Sequence, residues 1–323
     1  MYPDLIKAKI EQNLAAQIPA EPRSLYDPVR ASIAYGGKRA RPTLTALSAG
    51  TKAQDSDWLP AALAVELLHT FTLVHDDIMD NAAIRRGRPA VHMTYGVNAA
   101  ILSGDVIVAL AMGCLAQAPK AEAMLAEFSA GFRAVCEGQA LDKDFETRDD
   151  VSMEDYLTMI ALKTSRVFEL AAVLGTIAGG VHYIEELRRF ARQLGLAFQL
   201  QDDLLDLTGT AEFGKTIGGD ILEGKRTALF VLAMDRYHKC SGDECDLLGR
   251  LRERRATIDD VAPIRELFER LGVLEEVARM VSNHADKAME QLSGIADTEM
   301  RENLLQYSRQ LIGVAHAAIP ANR

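Results

Sequence analysis

The amino-acid sequence predicts an all-α protein: one domain, residues 1–323, of roughly ten helices. Three observations carry that expectation. Apolar residues recur at helical spacing along most of the chain, no period-2 strand of any length interrupts them, and no Pro- or Gly-rich linker separates two halves. With 323 residues, 48% of them apolar and 25% charged, the chain is long enough for a sizeable core and has ordinary globular composition.

Residues 4–17 make a short amphipathic helix. The Pro-punctuated stretch Ile18–Pro28 is expected to turn, with a helix beginning near residue 29. Thr51–Asp57 reads as a loop, and Asp57 as the N-cap of the long apolar run that starts at Trp58. In that run Leu63, Leu67, Thr70 and Val74 share one helical face, and Arg85–Pro89 closes it. Further helices are expected over 96–117, 120–143, 153–179, 183–207, 224–238, 246–254, 258–272, 273–292 and 297–317. Ser152 suits an N-cap, although Asp155 stands where a capping box has Glu or Gln.

Lys and Arg number 36 against 46 Asp and Glu, a net charge of −10. Phosphate backbones reward basic surfaces, so a general nucleic-acid binder is not expected. The four cysteines lack zinc-site spacing, and Cys114 and Cys136 sit in apolar helical surroundings. The start has no apolar signal segment, and the most apolar stretch, Ala99–Ala118, is broken by Asp105 and Gln117. No transmembrane span and a reducing, cytoplasmic setting are therefore expected.

Two segments echo each other. LVHDDIMD at 73–80 and LQDDLLD at 200–206 both place Asp-Asp-x-x-Asp in an apolar helix. Residues four apart share a face, so Asp76 stands above Asp80 and Asp202 above Asp206. Like charges at that spacing repel, and carboxylates drawn among leucines need protons or cations. Oxygen-only ligands suit a hard cation, Mg²⁺ above all, which keeps waters and takes substrate phosphates as further ligands. Two solvated acidic faces are the alternative, and two copies of identical spacing weigh against it.

A site for metal and diphosphate also needs cationic donors. GGKRARP at 36–42 offers Lys38, Arg39 and Arg41 behind two glycines, and Arg85, Arg86 and Arg88 follow the first acidic helix. His69 lies seven residues before Asp76, within about 20° of its face. Its alternative is a satisfied core histidine. Arg85 and Arg86, taken as neighbours at a helix end, would point about 100° apart and could serve different diphosphates.

The ordered set GGKRARP, HTFTLVHDDIMD, RRGRP, GQALD, LKT, FQLQDDLLD, FGKTIGGD and EGKRT resembles the polyprenyl synthetase family, the trans-isoprenyl diphosphate synthases, from about residue 30 to 230. The resemblance implies the isoprenoid-synthase helical bundle around a central cavity, as a homodimer. It implies that Asp76, Asp77, Asp80, Asp202, Asp203 and Asp206 hold three Mg²⁺ around an allylic diphosphate. Arg85, Lys163, Thr164, Gln199, Lys215 and Lys225 match the family's allylic-substrate positions; Lys38, Arg41, His69 and Arg86 match its isopentenyl diphosphate positions. Of these, Asp76, Asp77, Asp80, Asp202, Asp203 and Lys163 would carry the catalysis.

Product length is expected from Phe71, five residues or about 7.5 Å before Asp76, with the small Thr72 beside it. An aromatic with a small neighbour there resembles synthases that stop at C20, geranylgeranyl diphosphate, with C15 as the alternative. The C-terminal AAIPANR lacks the basic tail of many farnesyl synthases. Three rivals fit less well. Gly209–Thr216 satisfies GxxxxGK[ST], but an acidic helix precedes it where a P-loop needs a strand. A non-catalytic synthase subunit would have lost an acidic or basic set. A terpene cyclase would carry Asn, Ser and Glu in its second metal motif.

Overall fold

The computed structural model describes residues 3–209 and 217–313. In chain order these form α1 (Pro3–Ala16), α2 (Arg23–Ala34), α3 (Ala40–Ser48) and α4 (Asp55–Met79). A two-residue hairpin, β1 (Ile84–Arg85) and β2 (Arg88–Pro89), precedes α5 (Val91–Tyr95), α6 (Val97–Ala116), α7 (Ala121–Phe145) and α8 (Met153–Ile160). One π turn, Ala161–Ser165, joins α8 to α9 (Arg166–Gly179). Then come α10 (Ile184–Thr208), α11 (Gly219–Glu223), α12 (Ala228–Asp235), α13 (Asp243–Arg252), α14 (Ile258–Arg270), α15 (Val273–Gln291) and α16 (Thr298–Ile312). The protein is all-α, as its periodicity predicts.

Local chemistry moves several boundaries. The turn expected over Ile18–Pro28 ends early: α2 starts at Arg23 and takes Pro28 inside, with Leu25 and Tyr26 N–H both bonding Pro22 O at 3.1 Å. Asp57 is not the N-cap of α4. It stands at the third position, and its carboxylate accepts the Gln54 N–H at 2.8 Å. Short α5 and α11 carry too few residues for a periodic signal.

The chain forms two compact units. Among the described residues one holds 3–133, 167–191 and 291–307; the other holds 134–166, 192–209, 217–290 and 308–313. In the first, α4 packs on α3 and α6. Trp58, Val65, Leu67 and Leu68 of α4 are fully buried, and each such side chain contributes roughly 1.5–3 kcal/mol over an exposed one. In the second, α8 meets α12, and α14 meets α11 and α13.

Helices α4 and α6 are both long and apolar enough to cross a membrane by length and composition. A core helix passes the same test, so length and composition alone do not make either a membrane span. A single Asp105 does not offset the surrounding Ile, Leu, Val and Ala. The most apolar stretch of α4 is 61% buried, as a core helix is, whereas that of α6 is 39% buried and leaves Val97, Ile101, Leu102 and Met112 exposed.

Ser152 Oγ accepts the Asp155 N–H at 3.1 Å, and Asp155 Oδ2 accepts the Ser152 N–H at 3.1 Å. The shorter acid thus closes a capping box at α8. Ser152→Ala is expected to lower unfolding free energy by about 1 kcal/mol with activity at 25 °C retained, and Ser152→Asp to restore most of it, as read by denaturant titration.

Candidate active site

In the first unit the end of α4 presents Phe71, Thr72, Asp76 and Asp77, with Asp80 as C-cap. The three acids are not equivalent. Asp76 and Asp80 are half-buried, whereas Asp77 is 2% exposed. Arg85 Nε donates to Asp77 Oδ1 at 2.8 Å, and Nη2 donates to the same oxygen. Burial pushes the Asp77 pKa up, and Arg85 pulls it back.

Arg85 and Arg86 do not flare from a helix end as their adjacency suggests. Asn81, at φ 52°, terminates α4, so Arg85 lies on β1 and Arg86 in the hairpin turn at φ 52°. There Arg86 Nη1 donates to Gly36 O, while Tyr35 Oη donates to Pro89 O at 2.7 Å. The GGKRARP loop and the hairpin are therefore tied together.

Within that loop the three cations part company. Lys38 is exposed. Arg39 is buried, with Nη1 donating to Glu66 Oε1 and Nη2 to Ile33 O at 3.2 Å, so it serves as an internal strut. Arg41 Nη1 lies 3.2 Å from His69 Nε2, and its guanidinium stands 4.9 Å over the Phe168 ring. A guanidinium can only donate, so His69 accepts and is neutral. Burial first, then the cationic Arg41 and Arg86, hold the His69 pKa well below its ordinary value.

The Phe71 ring is half-buried, 4.5 Å from the His75 ring and 5.3 Å edge-on from Phe132 of α7. Phe132 in turn lies 6.5 Å from Phe128. Thr72 Oγ1 donates to His69 O at 2.8 Å.

The second unit repeats the pattern. Asp202 and Asp206 are half-buried, and Asp203 is 3% exposed. Tyr156 Oη donates to Asp203 Oδ2, Gln199 Nε2 to its Oδ1 at 2.9 Å, and Ala228 N to Oδ2 at 3.3 Å. Burial and then Asp220 push the Asp203 pKa up to about 7, against those three bonds. Asp206 Oδ2 accepts the Asp220 N–H at 3.0 Å, and Lys225 Nζ lies 3.6 Å from Asp220. Asp203, Asp206, Asp220, Lys225 and Thr227 line a small recess. Lys163 donates to Asp142 at 2.6 Å, and Thr164 to Gln199 Oε1 at 2.8 Å. Lys215 lies outside the described residues.

Arg41, His69 and Arg86 thus gather in one unit; Lys163, Thr164, Gln199 and Lys225 belong to the other. Sequence reasoning missed Tyr156, Phe128 and Phe132, and gave no role to Asp142 and Asp220, which end the GQALD and FGKTIGGD motifs. The two phenylalanines stand four apart on α7, a legible face; Tyr156 becomes visible only through what it touches, and so does the role of Asp142. Among the described residues no three Asp, Glu, His or Cys side chains converge as a ready metal cage. Oxygen-only acids that leave ligand positions to water and phosphate fit Mg²⁺, which is bound in that way.

These motifs match the polyprenyl synthetase family over residues 22–268, and the chain belongs to that family. It is 37% identical over 300 residues to geranylgeranyl diphosphate synthase of Methanosarcina mazei, covering 90% of each chain. A crystal structure of a geranylgeranyl pyrophosphate synthase superposes with a TM-score of 0.88 at 36% identity, covering 97% of this chain and 99% of that one. Polyprenyl synthase from Caulobacter crescentus, complexed with calcium and isoprenyl diphosphate, does so with a TM-score of 0.86 at 31% identity, covering 96% and 94%. Helix α10 stands where a P-loop needs a strand, so the GxxxxGK[ST] match is not of that class.

His69 stays neutral in the folded protein, whereas the unfolded chain takes a proton there below about pH 6.5. The unfolded state then binds more protons, so stability falls as pH falls through that window. Relative to His69→Gln, the wild type is expected to lose up to about 1.4 kcal/mol per pH unit below 6.5. Parallel urea-derived stabilities for the two proteins from pH 7.5 to 5.5 would show that His69 titrates normally.

Proposed function

We propose that this protein is a short-chain trans-prenyltransferase that condenses isopentenyl diphosphate with an allylic diphosphate to give geranylgeranyl diphosphate. One observation carries the reading: two aspartate sets of identical spacing, each with its middle acid buried and bonded and its outer acids half-buried. Asp77 and Asp203 hold their helix ends in place. Asp76, Asp80, Asp202 and Asp206 are the residues that would hold divalent cations, Mg²⁺ by their donor type and three by the family resemblance. When bound, the cations neutralise charge on the departing diphosphate.

Lys163, Thr164, Lys225 and Arg85 bind the allylic diphosphate in this reading, with Lys215 among them by resemblance. Arg41, Arg86, Lys38 and the neutral His69 take the isopentenyl diphosphate. Arg41 gives the fork geometry that a phosphate accepts, and His69 fixes its orientation. The allylic C–O bond breaks with its electron pair leaving on the diphosphate. The isopentenyl double bond attacks the resulting cation, and a proton is lost to the diphosphate. No side-chain nucleophile is consumed; holding the two substrates together supplies much of the rate.

The exposed apolar side of α6 supports a homodimer. Val97, Ile101 and Met112 fall within about 60° of one another around the helix, and such a patch is the usual mark of a partner surface.

Turnover of isopentenyl diphosphate with each allylic starter, resolved by product mass, tests the reaction and its chain length together. Excess chelator is expected to abolish activity, with Mg²⁺ or Mn²⁺ restoring it; full turnover in chelator would refute the metal role. Phe71→Ala is expected to stay folded, since a half-buried ring costs less than the roughly 3–5 kcal/mol of a fully buried one. Its products should shift from C20 toward C25 and longer, and those of Thr72→Phe toward C15. An active Phe71→Ala variant with unchanged products would make Phe71 ordinary core.

A further inference from the structure

Lys163 and Thr164 sit on the π turn Ala161–Ser165, where the helix widens by one residue. Such single turns recur at functional sites, and they need support from outside the helix. Helices α7 and α10 give that support in the same two-point manner. Gly138 of α7 lies against the turn: a Cβ built on it would stand 2.8 Å from Lys163 Cα and 2.9 Å from the Leu162 carbonyl carbon. One helical turn further along α7, Asp142 accepts the Lys163 ammonium at 2.6 Å. Gly195 of α10 does the same on the other side, its built Cβ 2.5 Å from Ser165 Cα and 3.0 Å from Ser165 Cβ. One turn on, Gln199 accepts Thr164 Oγ1 at 2.8 Å. Ser165 Oγ also donates to Arg192 O of α10 at 2.6 Å.

Each flanking helix thus places a glycine against the main chain of the turn, and four residues later a side chain that holds a residue of the turn: Lys163 itself from α7, and Thr164, next to Ser165, from α10. We propose that Gly138 and Gly195 are positioning residues, whose missing side chains let α7 and α10 clasp the π turn and set where Lys163 and Thr164 stand. The role in catalysis rests on the reading of Lys163 and Thr164 as ligands of the allylic diphosphate. An alanine methyl at either place meets main chain rather than the end of a flexible side chain. The turn itself must therefore move, and the ammonium or hydroxyl moves with it.

The test is a double-mutant cycle on the full chain with Mg²⁺ present: Gly138→Ala, Lys163→Ala and the pair, with Gly249→Ala as control. Gly249 lies on α13, and a Cβ there meets nothing within 4 Å. Gly138→Ala is expected to raise KM for the allylic diphosphate at least tenfold, with KM for isopentenyl diphosphate changed less than twofold. In the Lys163→Ala background the same glycine change should cost less than a further threefold, because residues that act through one group are not additive. Gly249→Ala should match the wild type. Equal factors in the two backgrounds, or equal changes in both KM values, would overturn the positioning role. A Lys163→Ala variant with wild-type kinetics would instead overturn the diphosphate assignment, and the proposal with it. Should Gly138→Ala fail to fold, the cycle of Gly195→Ala with Thr164→Val decides by the same criteria.

Discussion

The second acid of each aspartate set is turned into the protein, and a buried carboxylate must be bonded on several sides or destabilise everything around it. Much of the local architecture answers that demand. Asp77 draws Arg85 onto itself and so fixes the hairpin that follows α4. Asp203 joins three elements: the Tyr156 hydroxyl from α8, Gln199 from its own helix and the Ala228 N–H at the start of α12. The outer acids stay half-buried beside them. An anchored middle acid and two half-buried outer acids is a division of labour that five residues of helix can hold only because 76 and 80, or 202 and 206, share a face while 77 and 203 do not.

The cationic side of the first unit follows the same economy of placement. Three positive side chains come from the seven residues of GGKRARP, and crowding them costs Coulomb energy unless some are compensated. Arg39 goes inward to Glu66, while Arg41 is oriented by a histidine that burial keeps neutral. Arg39 and Arg86 both take left-handed backbone angles, near 51° and 52°. Conformations of this kind are uncommon for side-chain-bearing residues and gather where a structure over-determines them. Here they aim guanidinium groups at a carboxylate and at a loop carbonyl.

Helical class, the two acid sets, the order of the basic motifs and the face carrying Phe71 were legible in one dimension. They depend on spacing along a single helix, and spacing is what a sequence records. Asp57 as N-cap and the expected turn through Pro28 were misplaced, because the helix starts were settled by bonds from Gln54 and Pro22. The divergence of Arg85 and Arg86 comes from a hairpin and not from a helix end.

The sequence by itself therefore determined the residue types, their period and the family to which they belong, since hydrophobic spacing and ordered motifs need no partner to be read. Tertiary structure alone decided which aspartate of each set is buried, which of Arg39 and Arg41 becomes a strut, and how one π turn is held between Gly138 and Gly195. Each of these depends on a donor, a carbonyl or a gap supplied across space, from Arg85 eight residues after Asp77 to Tyr156 47 residues before Asp203, and distance through space leaves no mark on spacing along the chain.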